Sequence, residues 1–121
     1  MTDHMQTEFI LEENCGGECI TCVRTRRIVS AVVTGTLNHM ANWLDDGDLE
    51  RSERAAARFL NILAKAPEST RELVGIDNMS RLKGAIVDGL SEIKKGDVHA
   101  ASTAFRTGLM NWYESYPPYL A

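Results

Sequence analysis

The sequence predicts an all-α fold, a four-helix bundle preceded by an irregular N-terminal arm that carries a cysteine cluster. Its 121 residues give one domain, apolar residues recur every three or four positions in four long segments, and no strand pattern extends past four residues. Four helices joined by short connections favour a bundle. The predicted parts are an arm with a cysteine loop over residues 1–18, the bundle over 19–116 and a tail over 117–121.

The first two helices follow from apolar stripes that an acidic turn interrupts. The first helix is expected to start between Cys19 and Thr21 and to end near Asp45. Asp48 then caps the second helix, which runs to about residue 66, because proline at 67 disfavours helix at the residue before it. The inner positions are Val29, Val33, Leu37, Met40 and Leu44 in the first helix, and Leu49, Ala56, Phe59, Leu60 and Leu63 in the second.

The last two helices are separated by a Lys-Lys-Gly-Asp turn. Residues 67–76 are expected to form a short turn of helix, after which Asp77 or Asn78 caps the third helix. That helix ends at Lys95, where the next glycine closes it and the aspartate that follows caps the fourth helix, over about 98–115. The inner positions are Met79, Leu82, Ile86, Leu90 and Ile93, then Val98, Ala101, Phe105, Leu109 and Trp112, with Tyr116 continuing the stripe.

Four glycines fall inside predicted helices, where each costs about 1 kcal/mol relative to alanine. We interpret them as places where two helices approach closely, in preference to room for a ligand. They are Gly35, Gly84, Gly89 and Gly108.

The charge balance bears on partners and compartment. With 13 basic and 17 acidic residues the net charge is −4, which argues against nucleic acid as the partner. No run of 18 apolar residues is present, so no membrane span is predicted. The first residues lack the basic and apolar regions of a secretory signal, so the cytoplasm, where thiols stay reduced, is the expected compartment.

The three cysteines of the chain lie within eight residues, as Cys15-x₃-Cys19-x₂-Cys22. An odd, clustered set is a poor disulfide framework and a better metal or redox candidate. The Cys19-x₂-Cys22 spacing lets two thiolates reach one ion, and two glycines after Cys15 let it fold back onto the same centre. We therefore expect zinc or an iron–sulfur cluster, with a redox or intermolecular disulfide and incidental thiols as alternatives.

Three thiolates leave a fourth coordination position. His4, in the arm, is the first candidate, and His99, at the start of the fourth helix, is the second. His39 is about 25 Å along the first helix from Cys22, which excludes it. A carboxylate, water or a cysteine of a second subunit is a further alternative; the nearby carboxylates are those of Glu12, Glu13 and Glu18.

The cysteine spacing resembles two known motifs. It resembles the cluster triad of radical S-adenosylmethionine enzymes, but their barrel needs roughly 200 residues. It is also similar to the His-x₃-Cys-x₂-Cys motif of zinc-binding anti-sigma factors, with Cys15 in the histidine position. That resemblance implies zinc held by Cys19 and Cys22, with His4 as the available upstream ligand.

An arginine series marks the second helix. Arg51, Arg54 and Arg58 lie on one side of it, with Glu50 placed to pair with Arg54 four residues on. We interpret this as a solvated, charge-paired face; a surface for a phosphate or RNA backbone is the alternative. The aromatic tail over residues 112–120 is expected to dock on its own bundle.

The sequence thus favours a small accessory or regulatory protein with a metal site and a bundle that binds a protein partner or itself, for example as a dimer. The alternative is a non-enzymatic oligomeric interaction or adaptor module whose cysteines are incidental or redox-active. No nucleophile–base arrangement, phosphate-binding glycine loop or His-Glu-x-x-His motif is visible, so an enzyme with a reactive thiol ranks last.

Overall fold

The computed structural model describes residues 20–115, and all five secondary-structure elements in that range are α-helices. The all-α prediction is therefore confirmed for this part of the chain. The predicted arm, the tail and Tyr116 lie outside the described residues. The helices are α1 (Ile20–Asp45), α2 (Leu49–Ala64), α3 (Glu68–Val74), α4 (Ile76–Lys94) and α5 (Val98–Ser115).

Helix α3 is a helix of seven residues where the sequence predicts a short turn of helix. The described residues therefore form five helices, one more than the four expected. Pro67 precedes it in an extended conformation, with φ −59° and ψ 151°, which suits the residue before a helix start. Gly75, at φ 102°, then breaks the chain between α3 and α4. Only glycine adopts this conformation readily, so a single residue separates the two helices.

Two predicted helix ends are corrected by two or three residues. Helix α2 ends at Ala64 rather than at residue 66. Helix α4 begins at Ile76, so neither Asp77 nor Asn78 is its N-cap. The Asn78 side chain instead donates its Nδ2 hydrogen to the carbonyl oxygen of Val74, at 2.9 Å, and so satisfies the last turn of α3.

The same Gly-Asp pair makes the turns from α1 to α2 and from α4 to α5. Gly47 and Gly96 have φ of 86° and 81°, and the hydrogen bonds around them form a Schellman ending in both turns. Asp48 and Asp97 then accept the backbone N–H three residues on, at 3.2 Å and 3.0 Å. Both predicted N-caps are confirmed, and each turn ends one helix while it starts the next.

Four long helices surround one hydrophobic core. Helix α1 contacts α2 and α5, α4 contacts the same two helices, and α3 contacts α4 and α1. Helices α1 and α5 are antiparallel, because Ser30 bonds to Trp112 while Asp45 bonds to Ser102. The core confirms the predicted stripes. Its buried members are Val33, Leu37, Met40, Ala41, Leu44, Ala56, Phe59, Leu63, Val74, Met79, Leu82, Ile86, Ile93, Ala101, Phe105 and Trp112.

Close helix approach explains two of the four helical glycines. A Cβ atom added at Gly89 would lie less than 3 Å from the Phe105 ring, and one at Gly108 less than 3 Å from the Cβ atom of Ala85. These pairs join α4 to α5. Gly35 and Gly84 have no atom within 4 Å of an added Cβ, so close approach does not account for them.

Buried hydroxyls join helices at positions that the apolar pattern does not mark. The Ser52 hydroxyl, fully buried, donates to the backbone carbonyl of Met40 at 3.0 Å and ties α2 to α1. The indole Nε1 of Trp112 donates to the Ser30 hydroxyl at 3.3 Å and ties α5 to α1. Both bonds satisfy polar groups inside the core, where an unmade hydrogen bond is costly.

Candidate functional site

Cys22 lies in the first turn of α1 with its side chain only 1% exposed. A thiolate at this position gains from the positive end of the helix dipole. Thr25, one turn on, is buried as well, so this side of α1 faces inward from its first turn. A buried sulfur suits a closed structural metal site, and it also suits a small apolar core residue.

The other predicted ligands, Cys15, Cys19 and His4, lie outside the described residues. Within residues 20–115, no group of three or more histidine, cysteine, aspartate or glutamate side chains is close enough to hold a metal ion. Of the three cysteines, the described helices hold Cys22. A complete site needs ligands from the residues that precede Ile20.

The structure removes His99 from the candidate ligands. Its charge acts on the carboxylate of Asp45, at the C-terminal end of α1. Cys22 is 23 residues away in the same helix, which corresponds to about 34 Å at 1.5 Å per residue. The prediction of His99 as a second choice was wrong, because the antiparallel packing of α5 on α1 places the start of α5 at the far end.

His39 lies on the surface of α1, away from Cys22. Its ring stacks on that of Trp43, with centroids 5.7 Å apart and planes 18° apart. The guanidinium of Arg51, from α2, lies 4.5 Å from the centre of the Trp43 ring, a cation–π distance. Three side chains from two helices thus form one surface cluster, in which His39 and Arg51 are exposed and Trp43 is half-buried. The sequence suggested none of it, since the cluster depends on how α1 and α2 pack.

The arginine side of α2 differs from the predicted charge-paired face. The structure shows no ion pair between Glu50 and Arg54, and none to Arg58, among the described residues. Both arginines are exposed, as is Lys65 just after the helix. The expected helical pair therefore does not neutralise this side of α2, which stays basic.

A polar cluster joins α1 and α5 at the far end from Cys22. The Arg106 guanidinium donates to the Asp45 carboxylate at 2.7 Å and to the Asn42 side chain at 3.3 Å. It also donates to the Ser102 hydroxyl, which in turn donates to Asp45. The hydrogen bond from Arg106 holds the pKa of Asp45 below its ordinary value; partial desolvation opposes this, while Ser102 and His99 add to it.

A cleft between α4 and α5 is too small for a substrate. Its cavity volume is about 10 Å³, room for about one water molecule, and it opens to solvent. Small-molecule sites usually span about 300–1,000 Å³ and bury most of the ligand. Asparagine and arginine side chains give this cleft a partly polar lining, but it lacks the depth of a binding pocket. Its walls are Asn78, Arg81, Leu82, Gly108, Asn111 and Trp112.

Comparison with protein families, with curated proteins and with solved structures gives no match to this chain. None of the helices in residues 20–115 is both long and apolar enough to cross a membrane.

Proposed function

We propose that this chain is a small accessory or regulatory protein that binds zinc or an iron–sulfur cluster through Cys15, Cys19 and Cys22. The observation that carries the proposal is the position of Cys22, buried in the first turn of α1 and next to the segment that holds the other two thiols. The Cys-x₂-Cys spacing at a helix start is a common chelate for both metals.

His4 is the proposed fourth ligand. With His99 and His39 both distant from Cys22, it is the one remaining histidine of the chain. Three cysteines and one histidine are a common ligand set of structural zinc sites. A zinc ion bound in this way would attach the N-terminal arm to α1 and stabilise the fold. An iron–sulfur cluster would instead give the protein a redox response.

The proposed protein is a four-helix bundle of α1, α2, α4 and α5, with α3 inside the connection from α2 to α4. Exposed apolar side chains on α4 and α5 supply surface for a protein partner or for a dimer. They include Ile76 and Val87 on α4 and Met110 on α5. We place the protein in the cytoplasm, where reduced thiols are available to a metal.

The test is metal and acid-labile sulfide content, with a visible spectrum, on protein purified without oxygen. We expect about one zinc per chain without sulfide, or iron with sulfide and visible absorbance. Cys15→Ser and Cys19→Ser should each lose most of the metal. His99→Ala is the matched control and should retain it. Metal-free wild-type protein with three titratable thiols would overturn the proposal.

An interaction module without a metal is the second candidate. The observation that favours it is the full burial of Cys22, which fits a small apolar residue in the interior as well as a ligand. This candidate expects that replacing Cys15 and Cys19 with serine, while the buried Cys22 is kept, leaves folding and self-association unchanged. The metal proposal expects a loss of stability in the same variant, so one unfolding titration separates the two.

A further inference from the structure

The outer side of α2 carries a basic stripe. Arg51, Arg54, Arg58 and Lys65 are all exposed, and successive helix residues are about 100° apart, so these four fall within an arc of about 60°. Among the described residues, none of the four makes an ion pair. Unpaired cations at this density attract an acidic group.

The stripe leans toward α1, because the Arg51 guanidinium lies over the Trp43 ring of that helix. The bond from Ser52 to Met40 fixes the antiparallel register of the two helices. From the contact between Trp43 and Arg51, eleven residues back along α1 lead to Val32, and eleven residues forward along α2 lead to Ile62. Because the helices are antiparallel, these two residues lie at the same level. Both side chains are more than half exposed, so apolar surface lies beside the arginines.

We call this combined surface the α1/α2 face. Its apolar part is formed by Ile28 and Val32, one helical turn apart on α1, and Ile62 on α2, each between 53% and 55% exposed. Its basic part is the stripe described above. A fitting occupant has to be acidic and to carry a few large apolar side chains. The face comprises Ile28, Val32, Arg51, Arg54, Arg58, Ile62 and Lys65.

Residues 1–14, which lie outside the described part, have this chemistry. They carry four carboxylates and no lysine or arginine, and a run of three large apolar residues interrupts the acidic series. Ten residues lie between Phe9 and Ile20, and the eleven steps that join them reach about 36 Å when extended. Val32 is 12 residues into α1, about 18 Å from Ile20, so the segment is long enough.

We propose that the acidic segment 1–14 docks on the α1/α2 face of its own chain. Phe9, Ile10 and Leu11 then cover Val32 and Ile62, with Glu8 near Arg58 on one side and Glu12 near Lys65 on the other. A tethered segment has an effective concentration of the order of 1 mM, so modest contacts suffice. The net charge of −4 disfavours a nucleic acid as the occupant. The docking depends on charge and apolar contact, not on the proposed metal.

A photo-cross-linker tests this in the full chain. Benzoylphenylalanine placed at position 9 should cross-link to residues near Val32 and Ile62 within the same chain, at a yield that does not change with protein concentration. The measurement is run in chelator, so that an absent metal site does not affect it. Circular dichroism confirms the helix content of every variant.

Charge reversal decides between docking and chance contact. Replacing Glu8, Glu12 and Glu13 with lysine should lower the cross-link yield severalfold, and this change leaves the described helices untouched. Adding R51E, R54E and R58E to that variant should restore the yield. Reversing Arg81, Lys83 and Lys94 instead, on α4, is the matched control and should not.

Three results would overturn the docking. Cross-links that map elsewhere on the chain would show that the segment has another position. Cross-links only between chains would assign the face to a second copy. A cross-link yield that does not change when the three glutamates are replaced with lysine would exclude charge complementarity as the reason for binding.

Discussion

Asp45 and Arg106 show how a polar pair joins two helices far apart in sequence. The carboxylate accepts from the Arg106 guanidinium and from the Ser102 hydroxyl, while Asn42 accepts from the same guanidinium. No sequence pattern marks this cluster, since its partners are 57 to 64 residues apart and meet only once α1 and α5 are antiparallel. The buried Ser52 hydroxyl escaped prediction for the same reason.

The pair makes stability depend on pH in the acid range. Because its pKa is depressed in the folded state, Asp45 contributes stability above the ordinary carboxylate range, and this contribution is lost as the pH falls through the folded pKa. We expect Asp45→Asn to be less stable than wild type near neutral pH, with the difference shrinking below about pH 4. Unfolding by urea at several pH values measures it.

The control for this prediction is the same substitution in an Arg106→Gln background. There the main cause of the depressed pKa is gone, so the effect of Asp45→Asn should depend less on pH. Parallel pH curves for wild type and Asp45→Asn would contradict the account.

Helices α4 and α5 pack closely at Gly89 and at Gly108, where a glycine leaves room for the facing helix. At Gly89 the fully buried Phe105 ring occupies the space that a Cβ atom would need. Sequence periodicity identified the apolar stripes of both helices and the glycines within them, because burial imposes a three-to-four spacing. It did not identify which glycines are contacts, since that depends on the register between helices.

Two glycines of α4 provide a matched pair. Gly89→Ala should destabilise the protein by about 1–2 kcal/mol, because overpacking a rigid ring costs about 1–3 kcal/mol and alanine's helix propensity returns up to about 1. Gly84→Ala, with open space around it, should stabilise by about 0.5–1 kcal/mol. Urea midpoints at unchanged slope measure both; equal effects would contradict the packing described here.

The order of the helices in space decides which parts of the chain can form a site together. Cys22 is at one end of α1 and Asp45 at the other. His99, at the start of α5, lies near Asp45 and is therefore far from Cys22. The sequence placed the three cysteines together because they are neighbours in the chain. It could not exclude His99, since only the direction of α5 relative to α1 separates that side chain from the cysteines.

We propose one metal centre, held by Cys15, Cys19 and Cys22 at the start of α1. X-ray absorption at the edge of the retained metal counts the ligands directly. For zinc, we predict three sulfur scatterers at about 2.3 Å and one nitrogen; for iron, a sulfur shell accompanied by iron–iron scattering. A shell of nitrogen and oxygen alone, or protein that retains no metal at all, would contradict the claim.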